Sequence, residues 1–168
     1  MPEPLQPQEL FDTLARHHVD YVLIGGLAAT LHGSSALTND ADICPDSSPE
    51  NLRRLAAALE EMKARIRTDA QPGGVAVTAD ADFLRRVRLV NLTTRYGDFD
   101  IAFEPGGSDG YQDLTESAVD VAIDGITVRV ASLADIIRSK EAADRPKDRA
   151  TLPVLYALQD EIAKSARG

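Results

Sequence analysis

Ile24-Gly25-Gly26, a spacer of 13 residues, and then Asp40-Ala41-Asp42-Ile43 form the stretch whose reading decides the fold. The run leading into it, Tyr21-Val22-Leu23-Ile24, is wholly apolar and short, which suits a buried strand. Gly25-Gly26 ends that strand and opens Leu27-Ala28-Ala29-Thr30-Leu31-His32, a helix-like segment closed by Gly33. Thr38–Cys44 alternates polar and apolar positions and stops at Pro45, so it reads as a second strand. On a strand, residues i and i+2 point to the same face, about 6.5–7 Å apart along the backbone. Asp40 and Asp42 therefore present two carboxylates on one side of the sheet.

The rest of the chain is read outward from these two strands. Upstream, Leu10, Phe11 and Leu14 at helical spacing predict a helix over 7–18. Downstream, Ser48-Pro49-Glu50 is a helix start, with a Ser cap and Pro in the first turn. The helix that follows runs over 51–65, with Leu52, Leu55, Ala56, Leu59 and Met62 on one face. Gln71-Pro72-Gly73-Gly74 breaks the chain, and Ala79-Asp80-Ala81-Asp82 reads as a turn. A strand over 87–93 precedes a turn at Gly97 and another strand over 98–103. A short helix near 111–117 leads to a hairpin, 119–123 and 126–130, joined around Asp124-Gly125. Ser132-Leu133-Ala134-Asp135 is a capping box opening a helix to about Ala143, and Pro146 starts a last helix to about Lys164. The expected fold class is α/β (α+β): a mixed sheet flanked by helices, with C-terminal helices. One domain is expected over 1–168, its core at about 20–130 and a C-terminal helical segment at about 132–165.

Bulk properties narrow the function. Hydrophobic residues make up 43% and charged residues 27%, as in globular proteins, and no apolar run reaches membrane-spanning length. Met1-Pro2-Glu3-Pro4 lacks the basic start and apolar stretch of a signal peptide. The single Cys44 excludes an internal disulfide and a cysteine zinc cage, so a cytoplasmic location is expected. The net charge of -9 argues against binding duplex DNA, where phosphate neutralisation drives affinity. Basic residues nonetheless cluster at Arg85, Arg86, Arg88 and Arg95, and again at Arg138, Lys140, Arg145, Lys147 and Arg149. An acidic body with two basic stretches fits a nucleotide or a small cationic substrate more easily than a long duplex, and leaves the end of an RNA open.

Two carboxylates on one strand face repel, and burying them together is costly unless a cation neutralises them. Asp98-Phe99-Asp100 repeats the arrangement of Asp40-Ala41-Asp42. If the two strands are neighbours, three or four carboxylates converge, as phosphoryl transfer with two metal ions about 3.5–4 Å apart requires. Mg²⁺, or Mn²⁺ in its place, suits such a set, since it takes a few carboxylates together with phosphate oxygens. Gly25-Gly26 sits at a strand-to-helix junction, where free backbone N–H groups favour a phosphate. His17, His18 and His32 are scattered without a Ser or carboxylate partner at suggestive spacing, which argues against a triad. Cys44 reads as a small buried residue.

The Gly25-Gly26 and Asp40-x-Asp42 pattern resembles the signature of the polymerase-β-like nucleotidyltransferase superfamily. That resemblance makes Asp100, followed by Ile101 inside the strand, the third carboxylate, with Asp98 assigned to the turn beside Gly97. The stretch Leu133–Asp148, with Lys140 and Arg145-Pro146-Lys147-Asp148, is similar to the AbiEii-like (type IV toxin) small bacterial nucleotidyltransferases. The second glycine is Gly26 where many members carry Ser. The resemblance implies an enzyme that moves a nucleoside monophosphate from an NTP to an acceptor hydroxyl. Asp40, Asp42 and Asp100 would hold the metals, Lys140 would contact the triphosphate, and Asp148 would be a further acid near the site. It favours a toxin-type enzyme acting on tRNA or a protein and held in check by an antitoxin. An aminoglycoside- or lincosamide-like small-molecule acceptor is the second choice. A non-catalytic nucleotide- or partner-binding protein of the same fold is the third.

Overall fold

The computed structural model describes residues 3–76 and 78–167. Fourteen elements follow in order: α1 (Pro7–Arg16), β1 (Tyr21–Ile24), α2 (Gly25–Leu31), β2 (Asp40–Pro45), α3 (Pro49–Glu61), β3 (Arg65–Ile66), α4 (Ala81–Arg86), β4 (Leu89–Thr94), β5 (Gly97–Ala102), α5 (Tyr111–Ser117), β6 (Val119–Ile123), β7 (Ile126–Val130), α6 (Leu133–Ala143) and α7 (Pro146–Arg167). The strands form one mixed sheet in the order β3-β4-β5-β2-β1-β7-β6. β2 lies at its centre, antiparallel to β1 and parallel to β5.

Alternation explains the central strands. Ala41, Ile43, Phe99 and Ile101 are fully buried on one face, so the residues between them, Asp40, Asp42, Asp98 and Asp100, share the other. The hydrophobic core takes in Leu10, Phe11 and Leu14 of α1, Leu52, Leu55 and Leu59 of α3, Ile136 and Ile137 of α6, and Leu155 of α7.

Helix starts follow their caps. Ser48 Oγ accepts from Asn51 N–H at 3.4 Å, and Ser132 Oγ accepts from Asp135 N–H at 3.1 Å. Asn51, wholly buried, anchors α3 to the strands: its Oδ1 accepts from Asp20 N–H at 2.7 Å and its Nδ2 donates to the carbonyls of Asp20 and Asp46. The β6–β7 hairpin turns on Asp124 (φ 48°) and Gly125 (φ 84°), the paired positive φ values of a tight hairpin.

Four expectations are corrected. The segment read as a turn at 79–82 starts a helix, α4, because Asp80 Oδ1 accepts from Phe83 N–H at 2.9 Å and caps it. The helix predicted over 51–65 ends at Glu61, where Lys63 turns to φ 55°, and Arg65–Ile66 pairs with β4 instead. The first helix stops at Arg16, with His18 at φ 56°. The last helix runs on to Arg167.

Phe99 packs beneath the two aspartates of β5 and is fully buried. Phe99→Ala is expected to cost about 3–5 kcal/mol through lost burial and the cavity left behind, read from urea unfolding midpoints.

Candidate active site

Two registers build the site. In β2 and β5, Asp40 lies opposite Asp98 and Asp42 opposite Asp100; in β1 and β2, Ile24 lies opposite Asp42. Parallel pairing of two Asp-x-Asp segments therefore puts all four carboxylates on one face. One ligand oxygen from each of Asp40, Asp42 and Asp100 lies within 4.8 Å of the others. Asp98 is outside that group. It belongs to strand β5 rather than to the turn beside Gly97, and its carboxylate pairs with Arg67.

Charge at the cluster is poorly balanced from within. Burial, and then the neighbouring Asp40 carboxylate, push the Asp42 carboxyl up to about 6, against the pull of Lys147, Asp100 and Lys140. Burial, a hydrogen bond with Asp40 and the charge of Asp42 push Asp100 up to about 8, with Arg67 opposing. These oxygens are hard donors, crowded and largely buried, and they fit a small divalent cation such as Mg²⁺.

The chain enters the site through Gly25. Its φ is +73°, and a Cβ there would collide with the Asp42 carboxylate. A Cβ at Gly26 would stand 3.1 Å from Thr38 Oγ1, and Thr38 in turn donates to the Asp40 carbonyl at 3.0 Å. Gly25 is thus a close-approach requirement that brings backbone against the Asp42 carboxylate, while Gly26 packs on Thr38.

The α6–α7 corner supplies positive charge. Lys140, on α6, lines a recess together with Gly25, Ser139 and Arg145. Lys140 and Lys147 are close enough to lower the Asp42 carboxyl, and Asp42 in turn raises Arg145. Asp148 is fully buried at the start of α7 and faces these cations. Its Oδ2 accepts from Arg145 Nε at 2.7 Å and from Arg145 N–H at 3.1 Å, and its Oδ1 lies 3.5 Å from Lys140 Nζ. Burial raises its carboxyl, but these hydrogen bonds outweigh burial and hold it below the usual range. The structure therefore brings Asp40, Asp42, Asp100, Gly25, Gly26 and Lys140 together and sets Asp148 one layer back.

Four residues at the site were not read from the sequence as parts of it: Thr38, Arg67, Arg145 and Lys147. The last two stood in a noted basic stretch, and their place beside a lysine and a helix start was the available signal. Arg85, Arg86 and Arg88 line a recess with Pro45 and Asp46, at the end of β2 away from Asp40. His17 pairs with Glu61 and His32 with the Ala131 carbonyl, and Cys44 is buried. No helix among the described residues is long and apolar enough to cross a membrane.

No protein-family profile matches the sequence, and no curated protein does. Solved structures do match. A lincosamide antibiotic adenylyltransferase, LnuA, bound to lincomycin, aligns over 93% of this chain and 99% of its own, at 17% identity and a TM-score of 0.60. The antibiotic-resistance factor ANT(2'')-Ia, in complex with adenylyl-2''-tobramycin, aligns over 95% and 92% at 16% identity and a TM-score of 0.55. A Thermotoga maritima protein described as a candidate nucleotidyltransferase aligns over 90% and 94% at 18% identity and a TM-score of 0.54. The chain has the nucleotidyltransferase fold: a mixed seven-stranded sheet flanked by helices, two of them C-terminal.

Two outcomes follow for variants of the metal-free protein. Asp42 has a folded pKa of about 6 against an ordinary value of 3.8, so its protonated form is the favoured one in the fold. Any stability this gives is present below pH ~4 and lost as the pH rises through ~6. Asp42→Asn should therefore melt higher than wild type by about 2 °C or more at pH 7.5 and match it at pH 4, by calorimetry without metal. Gly25→Ala should lose about 1–2 kcal/mol to its left-handed backbone alone, measured by urea unfolding, and should also weaken Mn²⁺ binding by displacing Asp42.

Proposed function

We propose that the protein is a metal-dependent nucleotidyltransferase of the EC 2.7.7 type, which transfers a nucleoside monophosphate from an NTP to an acceptor hydroxyl. The observation that carries this reading is the convergence of Asp40, Asp42 and Asp100 beside Gly25 at the centre of a nucleotidyltransferase-fold sheet. Asp40, Asp42 and Asp100 would hold Mg²⁺, or Mn²⁺ in its place; the metal supplies charge neutralisation for the phosphates and the reacting oxygens. The residues divide the remaining work. Backbone N–H groups of Gly25 and Gly26, with Lys140, would bind β- and γ-phosphate oxygens, and Arg145 and Lys147 add positive charge on the same side. Asp148 would fix Lys140 and Arg145 in place.

The acceptor oxygen forms a bond to the α-phosphorus as the bond from α-phosphorus to the bridging oxygen breaks, and pyrophosphate leaves. The acceptor proton would pass to Asp100 or to water beside it. Catalysis of this kind rests on positioning and electrostatics, which suits a site made of carboxylates, backbone amides and lysines.

For the acceptor, a small hydroxyl-bearing molecule is the reading we favour. Two of the similar structures are enzymes that adenylylate antibiotics, and each aligns over nearly the whole of both chains. The second reading, a toxin-type enzyme acting on tRNA or a protein under antitoxin control in the cytoplasm, draws its support from Lys140 and the Arg145-Pro146-Lys147-Asp148 motif.

Incubation with Mg²⁺ and each of four α-³²P-labelled NTPs tests the proposal, with lincomycin, tobramycin, total tRNA and no acceptor in parallel. Label on a small acceptor, reduced at least about 100-fold in Asp42→Ala, is the expected result. Label on tRNA or on protein would move the acceptor to the second reading. Wild-type protein that neither transfers label nor binds NTP in Mg²⁺ would overturn the enzyme reading.

A further inference from the structure

Arg67 lies just beyond β3 and reaches across the sheet. Its N–H donates to the Asn91 carbonyl at 2.9 Å, which continues the β3–β4 pairing, and Asn91 lies opposite Asp100. The side chain crosses β4 to β5, where Nη2 donates to Asp100 Oδ1 at 2.7 Å and Nη1 donates to Asp98. All three side chains are largely shielded from solvent, at 21% exposure for Arg67, 20% for Asp98 and 12% for Asp100. Asp98 Oδ1 is buried and makes no hydrogen bond, so Arg67 is the cation that Asp98 pairs with among the described residues.

This geometry splits two similar aspartates into different jobs. Asp98 and Asp100 are both on the site face of β5, yet only Asp100 joins the ligand group. A planar guanidinium carries parallel donors in a fixed fork, so anchoring one end on Asp98 sets where the other end meets Asp100. With Asp100 Oδ1 held by the fork, the freedom of its carboxylate to turn is restricted, at a position where one of its oxygens lies within 4.8 Å of ligand oxygens of Asp40 and Asp42. Carboxylates that bind metals are commonly oriented in this way by outer hydrogen bonds, and losing such a partner costs about 10–100-fold in metal affinity or activity.

We propose that Arg67, anchored by Asp98, is a positioning residue that orients Asp100 for the metal and the acceptor hydroxyl. The proposal rests on the metal-dependent reading of the site. It gives the second acidic residue of β5 a role: Asp98 serves the site through Arg67 and is not a ligand. A lysine at position 67 has no fixed fork and would not hold both carboxylates in one geometry.

The test is a titration with Mn²⁺ alone, followed by electron paramagnetic resonance, on wild type, Arg67→Ala, Arg67→Lys, Asp98→Ala, the Arg67→Ala/Asp98→Ala double variant and Asp42→Asn. Mn²⁺ bound by wild type and lost in Asp42→Asn establishes the site. Given that, Arg67→Ala and Asp98→Ala should each weaken Mn²⁺ at least about 10-fold, with the double variant no weaker than Arg67→Ala. Arg67→Lys should fall between wild type and Arg67→Ala. In the labelled-NTP assay kcat, per folded enzyme as judged by urea unfolding of each variant, should drop about 10–100-fold with KM for the NTP unchanged. Binding of Mn²⁺ by both alanine variants as tightly as by wild type overturns the positioning role. So does a raised KM with kcat intact, which would assign Arg67 to the phosphates. No Mn²⁺ bound by wild type would instead sink the metal reading itself, and this inference with it.

Discussion

Like charges held on one face of two hydrogen-bonded strands are the constraint on which the rest of this structure depends. The parallel register of β2 and β5 sets Asp42 opposite Asp100, and the apolar residues between the aspartates lock that register. A one-residue slip of either strand would turn its own apolar pair, Ala41 and Ile43 or Phe99 and Ile101, out of the core, which disfavours any register that separates the carboxylates. The core therefore keeps these carboxylates buried and close together, and burial first, with the neighbouring aspartates second, raises the Asp42 and Asp100 carboxyls.

Positive charge is arranged around the cluster in two places. On one side stands Arg67, held between Asp98 and Asp100. On the other, the α6–α7 corner brings Lys140, Arg145 and Lys147 towards Asp42, with buried Asp148 tying the first two together. Gly25 lies between, its backbone against Asp42 because any side chain there would collide. Metal, phosphates and acceptor thus have distinct neighbours in the proposed reaction: carboxylates for the first, glycine amides and lysines for the second, Asp100 and Arg67 for the third.

The centre of this arrangement was legible in the sequence because it depends on short-range pattern. Strict alternation around Asp40-Ala41-Asp42 and Asp98-Phe99-Asp100 fixed their shared faces, and Gly25-Gly26 marked the strand-to-helix corner. What escaped was set by contacts distant along the chain or by single hydrogen bonds. Arg67 finds partners 31 and 33 residues away, which no local spacing announces. Asp98 sits beside a turn glycine, so its membership of the strand depends on pairing with Asp40 and β4. Ala79-Asp80-Ala81-Asp82 has turn composition, yet one capping bond from Asp80 makes it a helix start. Asp148 had the sequence position of a first-turn acid, whereas its complete burial between Arg145 and Lys140 is a property of how α7 docks on α6.

In the proposed reaction Asp40, Asp42 and Asp100 together bind a divalent metal ion. Anomalous diffraction from crystals soaked in Mn²⁺ tests it most directly. A peak within coordinating distance of oxygens from all three carboxylates, absent in Asp42→Asn crystals, is expected. Well-ordered carboxylates with no peak among them at millimolar Mn²⁺, with or without nucleotide, would contradict it.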